Sequence, residues 1–143
     1  MNHLFLKKQN CVFSQSCVEY LGHIVSKEGV AAYPSKLRAI SELPIPKNVK
    51  QLRGFLGLTG YYRKFVPGYR RICQPLYNLT KKDRFKWDVA AEEAFKNLKG
   101  IMASSQVLTL PDFSIPFEIE CDALEVGIGA ALQQIGRPIA FTS

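Results

Sequence analysis

One stretch, Lys50 to Tyr69 (KQLRGFLGLTGYYRKFVPGY), constrains the fold more than any other, because it spells a helix with two unlike faces. At 100° per residue, Leu52, Phe55, Leu56, Leu58, Thr59, Tyr62, Phe65 and Val66 share one broad side, the pattern of a helix laid on a core. Arg53, Gly57, Gly60, Tyr61 and Lys64 share the other. Glycine inside a helix costs about 1 kcal/mol relative to alanine. A helix that carries two on its outward face is therefore suited to letting something approach its backbone. With Arg53 and Lys64 beside them, a polyanion fits that face; close helix–helix packing is the alternative use of the same glycines.

The flanking residues supply boundaries. Asn48 followed by Gln51 is a capping box, and Pro67-Gly68 is expected to end the helix. Before it, the clusters LFL, CVF and VEYLGHIV read as short strands. Lys27-Glu28-Gly29 reads as a hairpin turn that pairs Glu19 to Ser26 with the residues after Val30. Pro34 starts a short helix that runs to about Ser41. After the central helix, a third spans about Ile72 to Leu79 with Pro75 near its first turn, and the basic segment Lys81-Lys82-Asp83-Arg84 follows. Asp88 caps a fourth helix with the apolar stripe Ala94, Phe95, Leu98, Ile101 and Met102. Beyond Ser105 the period changes from helical to extended. Pro116 to Asp122, Gly127 to Gln134 and Pro138 to Thr142 make a three-stranded antiparallel meander, with turns around Ala123 to Val126 and at Ile135-Gly136. The fold class is α+β: an N-terminal β-hairpin, a central helical bundle and a C-terminal meander.

Charge divides the chain in two. Met1 to Asp88 carries sixteen Lys and Arg against five Asp and Glu, whereas Val89 to Ser143 carries three against seven. The front can meet phosphates; the rear can do so only through a metal. No run of 18 apolar residues predicts a membrane span, and MNHLFLKKQN lacks the order of a secretory signal, so the expected location is intracellular, in cytoplasm, nucleus or an organelle matrix. Four cysteines without a CxxC pair are expected to be free thiols, buried or partly buried. No serine or cysteine nucleophile with a histidine partner is readable, nor any glycine-rich phosphate loop. Among the carboxylates Asp122 stands out, near Glu118, Glu120 and Glu125. Strand alternation puts Glu118, Glu120 and Asp122 on one side, where a divalent cation or plain solvent would relieve the crowding.

The segments YLGHIVSKEGV, PSKLRAI, LRGFLGLTGYYRKFVPGY, PLYNLTKK, FKWDVAAEEAFKNLK, VLTLPDFSIPFEIECDA and GIGAALQQIGRPIAF follow one another as in the polyproteins of gypsy-type LTR retrotransposons. The chain resembles the end of a reverse transcriptase palm (1–33), its thumb (34–84), and a connecting helix with the start of a truncated ribonuclease H-like domain (85–143). The resemblance implies that Leu21, Gly22 and His23 lie at the centre of a primer-grip-like hairpin. It also implies that Arg53, Gly57 and Tyr61 track a duplex groove, with Gly60 and Lys64 beside them. Asp122 matches the first of four ribonuclease H carboxylates, a Mg2+ ligand only if other carboxylates complete the site. The palm's YxDD motif is expected upstream and the other three carboxylates downstream, so the chain alone is expected to be inactive and to bind no cofactor stably. Two departures from the family pattern are Tyr33-Pro34 for Asp-Pro and Ala123-Leu124 for Ala-Ser. The partners implied are an RNA–DNA or DNA duplex, bound weakly and salt-dependently, and not a membrane. An alternative is a domesticated interaction module that self-associates or pairs a protein partner through sheet edges, with an open edge expected near Ile139 to Thr142.

Overall fold

The computed structural model describes residues 5, 7, 9, 11–104, 107–124 and 127–143. Glu125 and part of the predicted 123–126 turn lie outside the described residues, as do Leu4 and Leu6 of the LFL cluster. The chain runs through strands β1 (Cys17–Tyr20), β2 (His23–Ser26) and β3 (Gly29–Ala32), then helices α1 (Pro34–Glu42), α2 (Val49–Tyr61), α3 (Tyr69–Leu79) and α4 (Val89–Ala103). It ends in strands β4 (Glu118–Leu124), β5 (Gly127–Gln134) and β6 (Arg137–Thr142). Both sheets are antiparallel meanders, ordered β1-β2-β3 and β4-β5-β6.

The front of the chain differs from its expected hairpin. Glu19 to Ser26 is two strands, because Leu21 and Gly22 both take positive φ (48° and 73°) and fold the run back on itself, pairing Tyr20 with His23. Two successive left-handed residues make the hairpin turn whose twist matches that of paired strands. The CVF cluster at Cys11 to Phe13 forms no strand. Gly29 does adopt positive φ, at 138°, and it also admits a close approach: the Leu108 carbonyl occupies the space a Cβ would need. That approach lets Val30 and Leu108 exchange backbone hydrogen bonds of 2.7 and 2.8 Å, tying the first sheet to the segment after α4.

The central stretch also departs from one continuous helix. Asn48 Oδ1 accepts from Gln51 N at 2.9 Å, as a capping box predicts, while Gln51 Oε1 reaches Lys47 N at 2.7 Å. The helix then stops at Tyr61, before Pro67-Gly68. Tyr62, with φ −97° and ψ 11°, leads into a 3-10 turn at Arg63–Phe65. This bend lets Tyr62, Phe65 and Val66 stay in the core. Gly68, at φ 60°, turns the chain straight into α3, which starts three residues earlier than its periodicity suggested and so places Pro75 mid-helix.

The core is one cluster of buried side chains, Leu52, Phe55 and Leu56 of α2, Cys73, Leu76 and Leu79 of α3, and Phe95, Leu98 and Met102 of α4, with Ile40 and Leu108 closing it. Phe55 and Phe95 meet at 4.6 Å between ring centroids. The second sheet joins through Phe141, which packs against the cluster, and through Thr109 N donating to Pro138 O at 2.8 Å. Buried Gln134 fastens the approach to β4: its amide donates to Asp112 O and Ile115 O and accepts from Asp112 N. Among the cysteines only Cys73 is buried, its thiol pushed up to about 11 by burial; Cys17 on β1 and Cys121 on β4 are exposed. Among the described residues no helix is long and apolar enough to cross a membrane.

Removing the Asn48 cap (Asn48→Ala) is expected to cost about 1 kcal/mol of stability. Gly29→Ala should cost more, since it drives Leu108 off Val30 and strains the backbone. Urea midpoints in the reverse order would contradict the role given to Gly29.

Candidate nucleic-acid interface

Helix α2 is sealed on one side by Leu52, Phe55, Leu56 and Thr59, all buried. Its far side carries Lys50, Arg53, Gly54, Gly57 and Tyr61, all exposed. Nothing lies within 4 Å of where a Cβ would sit on Gly54 or Gly57, so among the described residues the backbone is open there. Gly54 and Lys50 were not singled out from the sequence, although the same helical spacing, three and seven residues before Gly57, places them on this face. Gly60 is less open than its place on the helical wheel suggests. It is half-buried, with the Tyr69 hydroxyl 3.6 Å from a would-be Cβ, because the helix turns that residue toward the start of α3. Arg53 is exposed, and its Nη2 donates to Thr80 O at 3.1 Å, bracing the C-terminus of α3. Lys64 lies beyond the helix in the 3-10 turn, half-buried, 5.3 Å from the Phe65 ring centroid, and desolvation lowers its pKa.

The structure brings the primer-grip-like turn and the end of α2 together. Leu21 O accepts from the Tyr61 hydroxyl at 2.6 Å and pairs with His23 Nδ1 at 2.9 Å. Gly22 O accepts from Tyr62 OH at 3.2 Å and from Tyr33 N at 3.0 Å. A leucine in the left-handed region is strained by about 1–3 kcal/mol, and these bonds hold it there. Glycine suits position 22 on two counts: its φ is positive, and a Cβ would sit a tight 3.0 Å from the Tyr62 hydroxyl. His23 is buried among the rings of Tyr61, Tyr62 and Phe65, at 5.4 to 5.7 Å. With Nδ1 donating to Leu21 O, Nε2 is the acceptor nitrogen, and it has no hydrogen-bond partner among the described residues. Burial, and secondarily the charge of Lys64, lowers the His23 pKa below 6.5, outweighing the backbone hydrogen bonds that raise it. Around this latch Leu21 and Tyr61 remain 69% and 52% exposed, so the patch presents an apolar tip beside open backbone.

Asp122 lies elsewhere. With Glu120 it lines a cavity of about 230 Å³ between β4–β6 and the start of α3, across from Arg70, Arg71 and Gly68, with Phe141 and Ser143 on its wall. Ser143 Oγ accepts from Arg70 N at 3.0 Å and so caps α3, whose own N-cap residue is Gly68. As a magnesium centre the donor set does not fit by itself. Residues i, i+2 and i+4 of a strand, such as Glu118, Glu120 and Asp122, stand about 6.5 Å apart in succession, and among the described residues no three His, Cys, Asp or Glu side chains gather. Glu125 lies outside the described residues.

Two outcomes follow from the latch. His23 is neutral when folded and takes a proton more readily when unfolded, so its contribution to stability is full above about pH 6.5 and is lost as pH falls below that value toward the lower folded pKa. The resistance of the wild type to urea should therefore fall as pH drops below about 6.5, and His23→Gln should flatten that dependence. Tyr61→Phe keeps the ring but removes a hydrogen bond to the strained turn, and faster amide exchange at Leu21 and Gly22 is the expected reading.

Against known proteins, residues 87–143 match the model of an RNase H-like domain found in reverse transcriptase. An uncharacterized mitochondrial protein of Arabidopsis thaliana is 49% identical over 118 residues, covering 81% of this chain and 75% of that protein. The retrovirus-related Pol polyproteins from transposons 297 and gypsy of Drosophila melanogaster are 42% and 40% identical, over 99% and 92% of this chain. The chain spans 14% of the length of each of these two polyproteins. The foamy viral protease-reverse transcriptase, solved in complex with double-stranded DNA, superposes with a TM-score of 0.79 at 22% identity, over 90% of this chain and 24% of that one. Its complex with an RNA/DNA hybrid gives 0.78 at 23% identity, over 89% and 18%. The chain belongs to one family with the Arabidopsis mitochondrial protein, is homologous to a segment of retrotransposon Pol polyproteins, and carries over residues 87–143 the RNase H-like domain found in reverse transcriptase.

Proposed function

We propose that this chain is a segment of a gypsy-type element's reverse transcriptase and ribonuclease H, and that it binds a nucleic-acid duplex through the outward face of α2. Within it, 1–33 is the end of a palm, 34–84 a thumb and 85–143 the start of the ribonuclease H-like part, all intracellular. The observation that carries the reading is the open backbone at Gly54 and Gly57 on an exposed helix, flanked by Lys50, Arg53 and Tyr61. A duplex groove is a surface that such a helix can enter closely, and contacts to sugar and phosphate make the binding tolerant of sequence. The relatives' polyprotein names and the DNA and hybrid complexes of the foamy viral enzyme support the same reading. Taken alone, the chain binds rather than cleaves. Two-metal phosphoryl chemistry requires several carboxylates to converge on ions about 4 Å apart, and Asp122 and Glu120 are the carboxylates that line the cavity.

Gly57→Leu tests this directly. A side chain there meets open space and removes a helix glycine, so the fold should gain up to about 1 kcal/mol. Affinity for an RNA–DNA hybrid should nevertheless fall at least about tenfold, the equivalent of 1.4 kcal/mol. Unchanged hybrid binding in this variant would sink the groove-facing role of α2.

A second reading, self-association, rests on the second sheet. Both β4 and β6 stand at edges of that sheet; Thr109 ties β6 at Pro138, just before the edge expected near Ile139 to Thr142, while Ile119 and Ile128 stand 69% and 70% exposed on the apolar face beside β4. Light scattering at high concentration separates the two readings: a monomer that still binds hybrid favours the first.

A further inference from the structure

The basic turn between α3 and α4 has no part in the interface described so far. It carries Lys81, Lys82, Arg84 and Lys86 within six residues, interrupted by Asp83, and all five are exposed. Exposed lysines are usually only solvated, so the question is what distinguishes these. Three observations do.

First, the turn is anchored at both ends. At its start, the outward-face residue Arg53 reaches from α2 to Thr80 O at 3.1 Å, which fixes the beginning of the turn beside the face that holds Gly54 and Gly57. At its end, Phe85 and Trp87 are half-buried against the core, their rings 6.5 Å apart, with Trp87 edge-on to Phe95 of α4 at 5.7 Å between ring centroids. Second, the backbone between the anchors is set. Arg84 N donates to Lys81 O at 3.2 Å and Lys86 N to Arg84 O at 2.9 Å, while Asp83 takes φ 56°. Third, none of the four cations has a carboxylate within salt-bridge distance among the described residues, where the ion pair present is Lys96 with Glu92. A short anchored turn that holds four exposed cations at the margin of an open helix face, with no carboxylate paired to them among the described residues, is complementary in charge to a sugar–phosphate backbone, which offers a charge every few ångströms along each strand.

We propose that Lys81, Lys82, Arg84 and Lys86 form a phosphate-binding strip that grips the backbone of the duplex whose groove α2 enters. This rests on the reading of α2 as a duplex-binding face and adds a second, purely electrostatic contact to it. Arg53 then serves two ends, carrying charge on the helix face and bracing the strip through Thr80.

The test is the salt dependence of DNA-duplex binding by the full chain, measured by fluorescence anisotropy. Each phosphate contact adds about 0.9 to the slope of log K against log salt. The triple variant Lys81→Gln, Lys82→Gln, Arg84→Gln should lower that slope by about two to three, and the single variant Lys82→Gln by about one. A control, Lys27→Gln, Lys36→Gln, Arg38→Gln, removes three exposed cations from the β2–β3 turn and α1 and should leave the slope nearly unchanged. Equal losses from both triple variants mean diffuse attraction and overturn the strip while leaving the helix face standing. A wild-type chain with no saturable, salt-dependent binding overturns both, and binding that Gly57→Leu weakens but the strip variants do not overturns the strip alone.

Discussion

Helix α2 can offer bare backbone to solvent because its other side is sealed. Leu52, Phe55 and Leu56 are buried in a core shared with α3 and α4, and the Phe55–Phe95 contact pins the helix across it. Burying each such side chain contributes about 1.5–3 kcal/mol, enough to offset the roughly 1 kcal/mol that each helix glycine costs. Remove that packing and the glycines would unravel the helix; keep it and they become a usable surface.

The same core explains where α2 ends. Tyr61 and Tyr62 are neighbours with opposite duties: Tyr62 is buried and Tyr61 is half exposed. Their hydroxyls reach adjacent carbonyls of one turn, Leu21 and Gly22, forty residues away in sequence. The hairpin turn keeps its strained left-handed leucine because the helix end supplies donors, and His23 fills the space between. Interface and scaffold are thus continuous at this point. A substitution in the turn should be felt at the helix end, and the reverse.

Much of this was readable from residue order. The glycine and cation face of α2, the caps at Asn48 and Asp88, the helix starting at Pro34, and the strand Gly127 to Gln134 all follow from local rules, because each depends on neighbours within a turn or a strand pair. The misreadings share one cause. Pro67-Gly68 looked like the end of a helix, yet the helix ends at Tyr61 so that Tyr62, Phe65 and Val66 can stay in the core. Leu21 looked like a strand residue, since no local rule foresees a leucine at φ 48°. Gly60 looked outward and Arg53 looked free, because a helical wheel does not show Tyr69 or Thr80 arriving from α3.

What the sequence by itself determined was the inventory: most of the helical and extended segments, which helix face is open, where positive and negative charge collect, and the family the motif order resembles. Tertiary structure alone decided the assembly. It joined the Leu21–His23 turn to Tyr61, left Asp122 and Glu120 across a cavity from two arginines, and set the basic turn beside the open helix face. The reason is physical. Periodicity and caps are short-range properties of the chain, whereas a hydrogen bond between residues forty apart exists only once the core has brought them within reach.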